Sequence, residues 1–134
     1  MKTLLILIVY ILIAGCTALV KTADHEYIKT EKVVYVSSHY TGDESRHIGD
    51  VVRALEKYNF EITKYGAHAD YDLEFLIADG HVEINLKQGR KIVVSASSYI
   101  YSHNFYISRT AMISSLVGRA VEKFSEALEQ TQSN

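Results

Sequence analysis

The chain has 134 residues, and its 14 basic against 16 acidic side chains leave a formal charge of only −2. So mild a balance supplies no basic field to hold nucleic acid or anionic lipid, and the single cysteine excludes an internal disulfide and a thiolate metal cluster. With those staples absent, stability rests on an ordinary hydrophobic core, which one domain of about 100 residues can build.

Met1 and Lys2 give a short positive start, and Thr3 to Ala14 carries no charge. It ends in Leu12-Ile13-Ala14-Gly15-Cys16, where two small residues directly precede the only thiol. A greasy run of this kind has signal-peptide length, roughly 7–15 residues. The stretch resembles the lipobox of bacterial lipoproteins. The resemblance implies that a diacylglyceryl group alkylates the Cys16 sulfur, that residues 1–15 are cut away as a signal peptide, and that the new amino group is acylated by a fatty acid such as palmitate. Ala14 and Gly15 suit a narrow peptidase site. Two or more acyl chains anchor firmly, since each buried methylene contributes about 0.8 kcal/mol. In a Gram-negative host Thr17, which is not aspartate, favours the outer membrane by the same resemblance. Two alternatives stay open. Thr3 to Val20 is uncharged and reaches the lower limit of about 18 residues for a membrane-spanning helix, and Cys16 can instead be an ordinary buried thiol.

Residues 16–31 mix Lys, Thr, Asp, His and Glu without a sustained period, as a tether does. Residues 32–130 carry the pattern of a single domain. Lys32 to Ser38 is β-branched and continuously apolar at its centre, as in a strand covered on both faces. Thr41 followed by Glu44 predicts a capping box, and Ile48, Val51, Val52, Leu55 and Tyr58 form the apolar stripe of a helix that Asn59 stops.

Phe60 to Tyr65 alternates as a strand. Next, Tyr71, Leu73, Phe75 and Ile77 share one strand face while Asp72 and Glu74 share the other. Asp79-Gly80 and Lys87-Gln88-Gly89-Arg90 are turns, with Val82, Ile84 and Leu86 alternating between them. In the last strand Ile92, Val94 and Ala96 alternate with Val93, Ser95 and Ser97. From about Arg109 to Gln130, Met112, Ile113, Leu116, Val117, Ala120, Val121, Phe124 and Leu128 recur at helical spacing, with Ser108 or Thr110 as cap. Gly118 inside that helix costs about 1 kcal/mol against alanine unless close packing on the sheet requires it. Residues 131–134 should fray.

This order predicts an α/β (α+β) two-layer sandwich, a roughly five-stranded mixed sheet in the order β-α-β-β-β-β-α with both helices on one face. A right-handed parallel crossover should join the first two strands. Asp72, Glu74, His81, Glu83 and Asn85 suit an opposite face left to solvent. The arrangement loosely resembles the small α/β domains of outer-membrane assembly lipoproteins, such as the lipopolysaccharide-assembly and curli-secretion accessory proteins.

No sequence motif assigns chemistry. His25, His39, His47, His68, His81 and His103 form no recognised metal-ligand spacing, so no metal or cofactor is expected. His68, Asp70 and Asp72 are the nearest local cluster. Ser37, Ser38 and His39, with Asp43 and Asp50 nearby, lack the Gly-x-Ser-x-Gly elbow of a hydrolase, although a triad is spatial. Asp70, Asp72 and Glu74 admit a glycosidase pair, but exposed sheet faces carry such pairs routinely. Tyr99, Tyr101, Phe105 and Tyr106 crowd the passage into the last helix and suit a partner surface or stacking on sugars, unless Tyr99 and Phe105 plug the core. The resulting expectation is a non-enzymatic accessory or assembly lipoprotein on the periplasmic side of the outer membrane, held by a lipid anchor and binding an envelope protein. A small-ligand or glycan binder is the second reading, and a small hydrolase the third.

Overall fold

A computed structural model describes residues 32–100 and 108–133. Cys16 and the tether, together with Tyr101, Phe105 and Tyr106, lie outside the described residues. Five strands and two helices follow the expected order: β1 (Lys32–Tyr35), α1 (Gly42–Lys57), β2 (Phe60–Thr63), β3 (Tyr71–Ala78), β4 (His81–Gln88), β5 (Lys91–Tyr99) and α2 (Arg109–Gln132). The sheet order is β2-β1-β3-β4-β5, with β1 parallel to both neighbours and β3 to β5 forming an antiparallel meander. The architecture is therefore a two-layer α+β sandwich on a mixed sheet.

Alternation decides which face is dry. Val34, Leu73, Phe75, Val82, Ile84, Leu86, Val94 and Ala96 turn to the helices, where Val51 and Leu55 of α1 and Ile113, Leu116, Ala120, Phe124 and Leu128 of α2 close one core. Among the described residues Ser98 is the one buried hydroxyl on this face, and it donates to the Leu116 carbonyl at 2.7 Å. The helix ends follow the sequence in part. Ser108 accepts from the Ala111 N–H at 3.1 Å, and Asn59 takes a left-handed φ of 64° just beyond α1. Asparagine tolerates that region better than most residues, which makes it a workable stop. At the other end the fraying expected from residue 131 is not seen among the described residues: α2 runs through Gln132, whose side chain donates to the Tyr58 carbonyl, and Ser133 donates its N–H to the Glu129 carbonyl.

The capping box is not formed. Thr41 is the N-cap of α1 but its side chain makes no capping bond. Glu44 instead accepts the Ile77 N–H of β3 at 3.1 Å. The reason is a length mismatch. β1 has four residues and meets β3 only at Tyr71 and Asp72, so the far half of the eight-residue β3, paired with β4 on one side, has no strand on the other. Buried backbone groups need partners, and the β1–α1 connection and the first turn of α1 supply them from side chains. Tyr40 donates its hydroxyl to the Leu73 carbonyl at 3.1 Å, its ring edge-on to Phe75 at 6.3 Å, and Glu44 takes Ile77. Burial raises the Tyr40 phenol above its ordinary pKa, only partly opposed by a backbone hydrogen bond from Phe75, with the carboxylates of Glu74 and Glu44 adding to the rise. A sheet edge that would otherwise invite another strand is sealed.

The strand predicted from Lys32 to Ser38 stops at Tyr35, although Val36 stays buried and donates to the Thr63 carbonyl. Its second face is partly covered, as its apolar run implied. The connection between β2 and β3, with a 3₁₀ turn at Gly66–His68, passes Tyr35 so closely that a side chain on Gly66 would meet the ring at 3.7 Å. Asp70 locks this crossing by donating its N–H to the Val33 carbonyl (2.9 Å) and accepting the Val33 N–H on its carboxylate (3.1 Å).

Candidate functional site

The sheet face turned away from the helices is the surface on which exposed apolar and fixed polar groups meet. Strand pairing sets its side chains in four rows across β3, β4 and β5: Asp72–Lys87–Ile92, Glu74–Asn85–Ser95, Leu76–Glu83–Ser97 and Ala78–His81–Tyr99. Leu76, Ile92 and Tyr99 are about half exposed, at 50%, 48% and 52%. Burying such side chains is favourable by roughly 1.5–3 kcal/mol each, so leaving three of them at the surface of one face is a feature to explain.

Ile92 reaches this face through an irregularity. The sequence pattern sets Ile92 with Val94 and Ala96 on the core side. In the structure Leu86 pairs with Val94 and Lys87 with Ile92, so Val93 is an extra residue and β5 bulges there. One inserted residue reverses the parity of everything before it, and Ile92 turns outward.

Between these apolar groups runs a polar chain along β4. Ser95 donates to the Asn85 side-chain oxygen at 2.7 Å, and the Asn85 amide donates to Glu83 at 2.7 Å. With its amide so engaged, Asn85 is buried although it stands on the open face. The other Glu83 oxygen lies 3.8 Å from His81 Nε2, a buried atom without a hydrogen-bond partner among the described residues. The His81 ring stacks flat on Tyr99, centroids 4.5 Å apart and planes 3° from parallel. Glu74 pairs with Lys87 at the opposite end. Hydrogen bonds thus hold the carboxylate and amide in place and leave the outer ring face of Tyr99 available. Fixed polar groups are flanked by uncovered apolar ones, a mixture that protein interfaces share.

Of the aromatic residues singled out in the sequence, Tyr99 is the one described. It stands on the open face and does not plug the core; Ile100 packs there instead. Among the described residues His39, His47, His68 and His81 stand in no group of three or more potential metal ligands, and His25 and His103 lie outside the described residues. His39 meets Ser37 Oγ at 3.4 Å, but that hydroxyl also accepts the His39 backbone N–H and so holds a local turn. Asp43 faces Arg109 at 3.0 Å, and Asp50 pairs with Arg53 on α1. Neither joins Ser37 in a triad. Asp70 is committed to Val33, which removes it from both the His68 cluster and a carboxylate pair.

A second depression, an open groove of about 560 Å³, lies between the helices over Ala54, Val117 and Gly118, with His47, Asp50 and Arg53 on one side. Its charges largely satisfy one another: Asp50 pairs with Arg53 and lies 3.7 Å from His47. The sheet face has the stronger claim. Leu76 and Ile92 are the members that the sequence did not announce. Leu76 carried a signal, because it shares parity with Asp72 and Glu74 and so interrupts a polar face. No family model, no curated protein and no solved structure matches the chain.

Proposed function

We propose that the chain is a lipid-anchored accessory lipoprotein that works without catalysis, on the periplasmic side of a bacterial outer membrane, by binding a protein of an envelope assembly through its open sheet face. The anchoring part is supported by Leu12 to Cys16 and the uncharged run before them. The binding part is carried by one observation: Leu76, Ile92 and Tyr99 stand half exposed around the hydrogen-bonded chain Ser95–Asn85–Glu83. Covering the exposed halves of Leu76 and Ile92 would contribute about 1 kcal/mol each. Among the described residues no helix is long and apolar enough to cross a membrane.

A photo-crosslinking amino acid at position 76, in intact cells, should capture one envelope protein, whereas the same group at Ser114 on the helix side should not. Capture from position 114 with none from 76 would overturn the assignment of the face. A glycan is the second reading, because the outer ring face of Tyr99 lies beside fixed hydrogen-bonding groups, an arrangement suited to stacking on a sugar. It requires a rise in melting temperature with peptidoglycan fragments or lipopolysaccharide.

A further inference from the structure

We infer that the open sheet face is built for a cationic, apolar-bearing segment of a partner protein, with Lys or Arg side chains about 14 Å apart on either side of an apolar residue. This deepens the proposed partner-binding role and rests on it. The charge on the face is one-sided. Asp72, Glu74 and Glu83 stand there on β3 and β4 against Lys87, and Lys87 is taken by Glu74. Asp72 and Glu83 therefore remain without a Lys or Arg partner among the described residues. Glu83 is also held in position by Asn85 at 2.7 Å, so its charge is presented without an ordering cost.

The spacing follows from the register. Asp72 and Glu83 are two rows apart along the strands and one strand apart across them. At about 3.4 Å per residue and about 4.8 Å per strand, their backbones are about 14 Å apart. Leu76 lies in the Glu83 row and Ile92 in the Asp72 row, so the apolar groups stand at the two ends of the span, and a long apolar side chain at its middle is one row, about 7 Å, from each end row. An extended segment with cations four residues apart and an apolar residue midway between them, all on one side, has this spacing.

Two other occupants fit worse. A second copy docked face to face would bring Asp72, Glu74 and Glu83 against the same acids. The chain's own residues 17–31 carry Lys21 and Lys29 but also Asp24, Glu26 and Glu31, so they bring no net positive charge.

The test is an amide NMR titration of the full-length chain in neutral detergent. The probe is a peptide built on two Lys-Ser-Leu-Ser-Lys units, and the controls are its Glu-for-Lys counterpart and a peptide with Ser in place of Leu. The inference predicts shifts confined to β3, β4 and β5, no shifts with the acidic peptide and weaker binding without leucine. It also predicts about a five-fold or greater loss of affinity in Asp72→Asn/Glu83→Gln, a variant that keeps the shape of both side chains and whose fold is checked by circular dichroism. Equal binding of the acidic peptide, shifts on α1 or α2, or undiminished binding by the folded double variant would each overturn it. So would concentration-dependent dimerisation through this face, or its occupation by a peptide of residues 17–31. The result is separable from the cellular role: crosslinking at position 76 can fail to capture a protein while the titration succeeds, and the reverse.

Discussion

Replacing Tyr40 by phenylalanine removes one oxygen and leaves the ring on Phe75. The hydroxyl it deletes seals the side of β3 that β1 leaves without a strand, by donating to the Leu73 carbonyl. A typical intramolecular hydrogen bond contributes about 1 kcal/mol net, and a buried acceptor left without a partner costs about 1–3 kcal/mol. The bond is part-buried, so the expected loss is about 1–2 kcal/mol. For a domain of about 100 residues that lowers the melting temperature by roughly 4–8 °C per kcal/mol. Urea unfolding of the full-length chain should show an earlier midpoint with an unchanged slope, and hydrogen exchange should accelerate at Phe75 and Ile77. The pH dependence adds a second check. The folded phenol has a raised pKa, so the stability it confers is present below the free value of about 10 and is lost as pH climbs through the folded value. The gap between the native chain and Tyr40→Phe should therefore narrow in alkali. Equal stability and equal exchange at neutral pH, or a gap that widens above pH 10, would refute the edge-sealing role.

Gly118→Ala should stabilise the chain by about 0.5–1 kcal/mol in the same unfolding assay, because nothing lies within 4 Å of the added carbon and helical glycine is unfavourable; a loss of stability would show that α2 needs the glycine after all. Phe124→Ala empties the centre of the core, where Phe124 is fully buried, and should cost about 3–5 kcal/mol by urea unfolding. Leu76→Ser gives up the half of the side chain that is buried, about 1 kcal/mol, and should lower the melting temperature by about 4–8 °C while the chain stays folded at growth temperature, yet abolish capture of the envelope protein by a crosslinker placed at Ser97.

Much of the fold was legible because alternation and helical spacing report burial directly. Tyr71, Leu73, Phe75 and Ile77 announce one wet and one dry face, and the stripe from Met112 to Leu128 announces a helix with one buried side. What stayed hidden depends on distant partners. Thr41 and Glu44 satisfy a local capping signature, but the Ile77 N–H, stranded by the shortness of β1, competes for Glu44 and wins. No local pattern records how far a neighbouring strand extends. The bulge at Val93 was equally silent, since two adjacent valines fit a regular strand as well as an irregular one, and Ile92 changed faces in consequence. Of the candidate surface, the polar half was visible in Asp72, Glu74, His81, Glu83 and Asn85. The hydrogen-bonded order Ser95–Asn85–Glu83 and the stacking of His81 on Tyr99 arise only when β4 and β5 are brought into register.

Intact mass analysis of the mature protein from its native membrane tests the account most directly, because every role proposed for the sheet face supposes a domain held at a lipid surface. The account predicts that the chain begins at Cys16 and carries a diacylglyceryl thioether with an acylated amino group. A free Cys16 thiol, or residues 1–15 still attached, would contradict it.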